Sequence, residues 1–518
     1  VIARGKVYLD ANGNGTYDDG ESGLAGIKVS NGRDVIKTDH LGKYTIKLPP
    51  ESTLFITKPS GYSVPANDVQ LPQFYYHYYP EGTPDIAKWK WPVIDPTGPL
   101  PDEINFALIS TDTFRHFKAM GFADPQTTNN EELDMMRKDI IDILFENPYE
   151  ASFGLVAGDV VNDNLALYKR HNLLMSKIGI PIWNVPGNHD INGESPNYTY
   201  ATQSYKSVFG PDYYSFDYGM AHFLALNNVG FQGKGNGYIG HIDEKQLAWI
   251  KNDLADVPDD HLIVIITHIP LITYASDHSF SDGINTTNFK DLLEILKRFN
   301  HLYTISGHDT SNSWKVQVDH KHGWYGRPFI AHTLAEVRGA GWKVGPRDDR
   351  GVNNATMEDG NPNGFYLLHF QKNEVKPQFI SADGDPNDRL RVLLDPPLKD
   401  ADDDDILNKY PLGLDRGKLR EDTYVIVNFF DGGERDVVKL SIDDGALMPM
   451  IYQERVDPYM ERLYKEHKLD AYKNLEKSGH IWEFKLPNLA PGLHSIKVSA
   501  TDEFGFSDNE VLSFELLN

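Results

Sequence analysis

The chain has 518 residues, too many for one hydrophobic core, so roughly two to four domains are expected. Fifty Lys and Arg against 75 Asp and Glu leave a formal charge of −25, which disfavours non-specific binding to nucleic acid and to anionic membranes. Cysteine is absent, which excludes disulfides, thiolate zinc sites and a cysteine nucleophile. No apolar run reaches the roughly 18 residues needed to span a bilayer as a helix.

Residues 1–100 read as all-β. Short alternating segments at 5–9, 27–30 and 42–48 are separated by Gly, Asn and Asp turns, the pattern of a sandwich. Within them, Asp10, Asn12, Asn14, Thr16, Asp18 and Glu21 follow the oxygen-donor spacing of a twelve-position calcium loop, with Gly15 at the turn. The same stretch also reads as an Asn/Gly-rich β-turn that binds nothing. Residues 66–102, rich in Pro, Tyr and Trp, read as a linker packed onto a neighbouring domain.

From about 103 to 372 strands alternate with helical stretches, the signature of an α/β layered domain. Residues 131–145 and 288–299 carry apolar side chains at helical period. Around them lie apolar runs at 117–123, 153–157, 181–185, 261–267 and 302–306, each the length of a buried strand. Every run ends on a residue with chemistry to offer. These are Asp124 with Gln126, Asp159, Asn188 with His189 and Asp190, His268, and His308. Strand ends of this kind share one edge of a sheet, where ligands collect.

Carboxylate, carboxamide and imidazole donors gathered in one place suit Mn²⁺, Fe²⁺ or Zn²⁺. Asp159 has two oxygens and would bridge a pair of ions, which together would bind a phosphoester oxygen and turn a bridging water into hydroxide near neutrality. His189 would face the leaving group as proton donor, its imidazole held in one tautomer by Asp190 or Asp163. Beyond residue 372 the pattern returns to β, with an acidic run at 401–405 and a helical insertion at 457–475. Residues 373–518 are read as a second sandwich. The domains expected are therefore 1–100, 101–372 and 373–518.

The ordered set Asp-x-Gln, Gly-Asp-x-x-x-Asp, Gly-Asn-His-Asp, strand-end His and Gly-His resembles the calcineurin-like metallophosphoesterase superfamily. That resemblance implies a core of two mixed β-sheets flanked by helices, here with all-β sandwiches at both ends. It also implies one ion on Asp159, Asn188, His268 and His308. A second ion would sit on Asp124, Asp159 and the residues at 126 and 310. This chain departs from the family at both of the last two positions, with Gln126 and Thr310 where histidines are usual. The second site is therefore expected to be weaker, richer in oxygen and better suited to manganese. Segments at 339–342, 359–364 and 500–505 look like an exported bacterial subgroup, implying a periplasmic or cell-surface protein with its leader removed.

The function expected is metal-dependent hydrolysis of a small phosphomonoester, phosphodiester or diphosphate by a monomer, with Arg338 and Arg347 clamping phosphate. A second reading, motivated by Thr310 and the aromatic stretch, is a catalytically impaired metal-binding protein whose β-domains hold a surface or glycan. A third, cleavage of nucleic acid, would need a local patch of Arg338, Arg347 and Arg350 to overcome the acidic surface.

Overall fold

The computed structural model describes residues 1–274, 284–382, 388–399, 415–468 and 475–517. The acidic run at 401–405 and part of the insertion at 457–475 lie outside the described residues. Two sheets form the centre. The first runs in the order Ile182–Asn184, Phe153–Val156, His116–Phe122, Gly364–Gln371, Glu374–Ser381; its first three strands are parallel and its last two join by antiparallel pairing. The second runs Tyr214–Tyr218, Ala221–Ala225, Leu262–Ile266, His301–Ser306, Phe329–Thr333, Trp314–Val318, with four parallel strands between antiparallel edges.

The sheets face each other through aromatic side chains. Trp183 of the first stacks on Phe216 of the second at 4.2 Å, and Phe153 meets Phe223 edge-on at 5.4 Å. Burial on both faces explains why these strands read as unbroken apolar runs rather than alternating ones. Helices cover the outside. The helix predicted over 131–145 starts at Asn130, where the Asn129 side chain accepts the N–H groups of Glu131 and Glu132. It carries a π turn at Arg137–Ile141 that the periodicity did not show. The π turn buries Asp139, whose carboxylate accepts from the Trp342 indole (2.8 Å) and the Asn363 amide (3.1 Å).

Two strands cross the expected domain boundaries. Phe106–Ser110, which the sequence reading placed in the central domain, pairs with Ile2–Leu9 and completes an N-terminal sheet. Glu374–Ser381, assigned to the C-terminal sandwich, completes the first central sheet. In both cases the partner strand rather than the local sequence decides membership. The C-terminal strands form a four-stranded and a five-stranded sheet closing on their own apolar cluster of Val425, Phe429, Trp482 and Val498.

The aromatic stretch is packing, as expected. The Phe74 ring lies 5.2 Å from Trp183 and 5.0 Å from Tyr214. No described helix is long and apolar enough to cross a membrane.

Candidate active site

The carboxyl ends of the parallel strands bring most of the predicted residues together. Asp124 and Gln126 follow His116–Phe122, Asp159 follows Phe153–Val156, and Asn188 with His189 follows Ile182–Asn184. His268 and His308 arrive from the second sheet, past Leu262–Ile266 and His301–Ser306. Asp124, Gln126, Asp159, Asp163 and His308 all adopt left-handed backbone, with φ between 37° and 74°. Each such non-glycine residue costs on the order of 1–3 kcal/mol, and residues of this kind concentrate at functional sites. The sharp turns aim side chains back over the sheet edge instead of away from it.

His268 sits at the centre. Its Nδ1–H donates to the carbonyl of Ala157 (2.9 Å), which turns Nε2 toward the site. That nitrogen lies 2.9 Å from Asn188 Oδ1, 3.3 Å from Asp159 Oδ2 and 3.1 Å from His308 Nδ1. Asp124, Asp159 and His268 are buried and offer three ligand atoms within 4.8 Å of one another. Among the described residues, theirs is the one such grouping of acidic and imidazole side chains.

The charges hold one another in place. Burial raises the pKa of the Asp124 carboxyl, with the charge of Asp159 adding to the rise. Asp159 is equally buried, but the imidazole of His268 outweighs that cost and keeps it ionised. Burial pulls His268 down, and the two aspartates reverse the effect and raise it. Asp124 Oδ1 is buried and has no hydrogen-bond partner, while its other oxygen accepts the His308 N–H at 2.9 Å. An orphaned carboxylate oxygen beside converging N and O donors fits a divalent cation.

His189 stands at the rim, about one third exposed. Its Nδ1 lies 3.0 Å from Asp163 Oδ1, so Asp163 fixes the ring, and Nε2 points inward, 4.0 Å from Asp159 Oδ2. Of the two aspartates predicted for that task, Asp190 takes no part in it. Asp190 is fully buried, and its carboxylate accepts from Gly187 N–H (2.9 Å), Val160 N–H (3.0 Å) and the Tyr168 hydroxyl (2.9 Å). It holds two strand-end loops together rather than touching the imidazole.

Gln126 also departs from expectation. Its amide nitrogen donates to Asp159 Oδ2 (2.9 Å) and its oxygen accepts from Arg338 Nη1. A metal ligand would need that oxygen turned inward. Thr310 is exposed, and the Asp309 carboxylate caps the N–H groups of Ser311 (3.1 Å) and Asn312 (3.3 Å). Of Arg338, Arg347 and Arg350, the first alone reaches the cluster. Arg347 pairs with Glu131 (3.1 Å) and Arg350 with Asp139 (2.9 Å), which ties both to the outer face of the Asn130–Met136 helix and the π turn that follows it. The phosphate clamp predicted from Arg347 is therefore not formed here.

Two residues escaped the sequence reading. Tyr238, from the hairpin Val229–Phe231/Tyr238–Gly240, sets its ring 5.8 Å from that of His308 and walls one side of the site. Glu336 follows the strand Phe329–Thr333 and is wholly buried. Its signal was the one that found the others, a charged residue ending an apolar run.

In the N-terminal domain, the loop of Asp10 to Glu21 wraps around its own acids. Asp10 accepts the N–H groups of Gly13 (2.7 Å) and Gly15 (2.8 Å), and Asp18 accepts the side-chain amides of Asn12 (2.8 Å) and Asn14 (2.9 Å). Glu21 accepts from Ala11 N–H (3.0 Å) and Asp18 N–H (3.0 Å), while Thr16 is exposed and gives its N–H to Asn14 (2.8 Å).

Three family models match in succession: the N terminal of calcineurin-like phosphoesterase over residues 11–90, calcineurin-like phosphoesterase over 121–311, and the C terminal of calcineurin-like phosphoesterase over 332–507. The chain belongs to the calcineurin-like phosphoesterase family.

The chain is 27% identical over 188 residues to the 3′,5′-cyclic adenosine monophosphate phosphodiesterase CpdA of Escherichia coli strain K12, and equally to that of O157:H7. The match covers 36% of this chain and 62% of those relatives. Among solved structures it is similar to the purple acid phosphatase PPD1 of yellow lupin, Lupinus luteus (14% identity, 70% of this chain, 68% of that one, TM-score 0.36). A putative 5′-nucleotidase from Staphylococcus aureus is also similar (11% identity, 52% and 55%, TM-score 0.31).

Proposed function

We propose that this protein hydrolyses a small phosphoester with two divalent cations, manganese favoured, held by Asp124, Asp159, Asn188, His268 and His308. The observation that carries the reading is the packing of Asn188 Oδ1, Asp159 Oδ2 and His308 Nδ1 within 2.9–3.3 Å of His268 Nε2, beside the orphaned oxygen of Asp124. Bound cations would supply charge to the phosphoryl oxygens and acidify water at the site.

The chain's own residues do the remainder. Asp159 has one oxygen fixed by the His189 N–H (2.8 Å) and turns the other toward His268, a posture suited to sharing between two ions. His189, oriented by Asp163, holds a proton at Nε2 for the departing oxygen. Arg338, on swinging away from Gln126, would meet a phosphate oxygen and free the Gln126 carbonyl to turn inward.

A cyclic phosphodiester is the first substrate to test, because the similar E. coli protein is named for one. The panel should hold a phosphomonoester, a phosphodiester, cyclic AMP and a diphosphate, each with and without Mn²⁺. Turnover is expected only with metal, and His189→Ala should lower kcat by about 10²–10⁴. Full turnover by His189→Ala would remove the proposed acid. We also propose calcium for the loop of Asp10, Asp18 and Glu21, with Asn12, Asn14 and Thr16 as further donors. A calcium-dependent rise in Tm that Asp10→Ala abolishes is the expected result.

A further inference from the structure

The second ion of the proposed pair is short of ligands. Asp124 and Asp159 belong to it, but the Gln126 oxygen is taken by Arg338 and Thr310 faces solvent. The segment after strand Phe329–Thr333 runs along this side. Leu334 N–H donates to Ser306 O (2.9 Å), Val337 N–H to Ala123 O (2.8 Å) and Arg338 N–H to Asp124 O (3.2 Å). Residues 334–338 are thereby stitched between the loop that carries Asp124 and the strand end that leads to His308.

Glu336 lies in the middle of the stitched segment with no exposed surface, and neither of its carboxylate oxygens has a hydrogen-bond partner. Arg338 Nε is buried and unpartnered as well, and so is Asp124 Oδ1. Native structures seldom leave such atoms orphaned, and a buried carboxylate with both oxygens bare is costly unless a cation or ordered water meets it. Burial raises the Glu336 carboxyl's pKa, with the charges of Asp124, Asp159 and Asp309 adding to the rise and Arg338 opposing it.

We propose that Glu336 completes the second divalent-cation site. It acts from outside the Asp124–Asp159 pair as the acceptor for that ion's water ligands, in place of the imidazole that Thr310 does not provide. The inference rests on the two-ion reading above. Glu336 is a positioning residue here, since it touches the ion's waters and not the substrate. An oxygen-rich site of this composition favours Mn²⁺ over Zn²⁺.

The test is Mn²⁺ binding to the full chain, followed by calorimetric titration and by electron paramagnetic resonance of free and bound Mn²⁺. Wild type should take two ions per chain. Glu336→Gln, an isosteric change, should keep the first at unchanged affinity and weaken the second at least tenfold. Adding Thr310→His to Glu336→Gln should restore the second ion and with it the spin coupling of a Mn²⁺ pair. A purely structural role for Glu336 would leave both affinities untouched.

Two wild-type-like ions in Glu336→Gln would overturn the proposal and leave the two-ion reading standing. A single ion or none in wild type would overturn both. Should Glu336→Gln not fold, Glu336→Asp, which keeps the charge and withdraws it by one methylene, must show the same selective loss of the second ion, and two wild-type affinities there would reject the idea.

Discussion

Asp190 adjoins His189 in sequence and Asp163 lies 26 residues before it, yet it is the distant one that holds the imidazole. Asp163, in left-handed conformation at φ 57°, turns its carboxylate to Nδ1, whereas Asp190 is drawn inward by the Gly187 and Val160 N–H groups. The two substitutions should therefore separate cleanly. Asp163→Asn should keep the protein folded with its Tm nearly unchanged, because the residue is exposed, while kcat falls. Asp190→Ala leaves the N–H groups of Gly187, Val160 and Val161 and the Tyr168 hydroxyl without their acceptor, and should cost about 3 kcal/mol or more of stability. Thermal melts and steady-state kinetics of the pair check this, and equal loss of Tm in both would refute it. The identity of each donor was readable from the sequence, since apolar runs ended on it. The turning of Gln126 toward Arg338 was not, because an amide's direction is set by neighbours more than 200 positions away.

At the scale of strands and turns, the site depends on two close approaches that only glycine permits. A Cβ on Gly187 would lie 2.1 Å from Asp159 Oδ1, and one on Gly307 would lie 1.9 Å from Asp124 Oδ2. Gly187→Ala and Gly307→Ala should each displace one carboxylate while the buried strands remain. The expected result is a far-UV circular dichroism spectrum like wild type together with Mn²⁺ affinity reduced at least tenfold. Unchanged Mn²⁺ affinity in both would mean the carboxylates are not where the ions bind.

The strands themselves were legible because burial on both faces writes them as continuous apolar runs. Sheet membership was less so. Phe106–Ser110 looks like a core strand, and only its pairing with Ile2–Leu9, about a hundred residues earlier, assigns it to the N-terminal sheet. The π turn at Arg137–Ile141 left no mark on the sequence, since a single extra residue per turn barely shifts the helical period.

Across the whole molecule, the outer β-sheets are tied to the centre by buried polar networks. On the N-terminal side His222 lies between Asp217 (2.6 Å) and Asp253 (2.8 Å), and Lys28 reaches Asp253 at 3.3 Å. Burial alone would lower the His222 pKa, but the two carboxylates outweigh it and raise it to about 9. A histidine raised in the folded state stabilises fully below its unfolded pKa of about 6.5, and that stabilisation is lost as pH climbs through 9. Denaturant melts should show stability falling by up to about 3 kcal/mol between pH 6.5 and 9.5. In His222→Gln that slope should shrink by the share of His222, the part due to His268 remaining, and an unchanged slope would show that His222 contributes nothing.

On the C-terminal side Asp431 accepts from the Tyr366 hydroxyl (2.9 Å), lies 3.0 Å from His332 Nε2 and pairs with Lys315 (3.4 Å). Asp431→Ala strands the buried Lys315 ammonium and should cost roughly 3–5 kcal/mol. Limited proteolysis should then release the C-terminal sheets. These networks join side chains distant in sequence, and nothing in local pattern announces them.

The central claim, that Asp159 is shared by two cations, is tested most directly by counting Mn²⁺ bound to wild type and to Asp159→Asn. Two ions are expected in wild type, and in the variant loss of the pair together with loss of phosphoester turnover. Two ions bound at wild-type affinity by Asp159→Asn would contradict it.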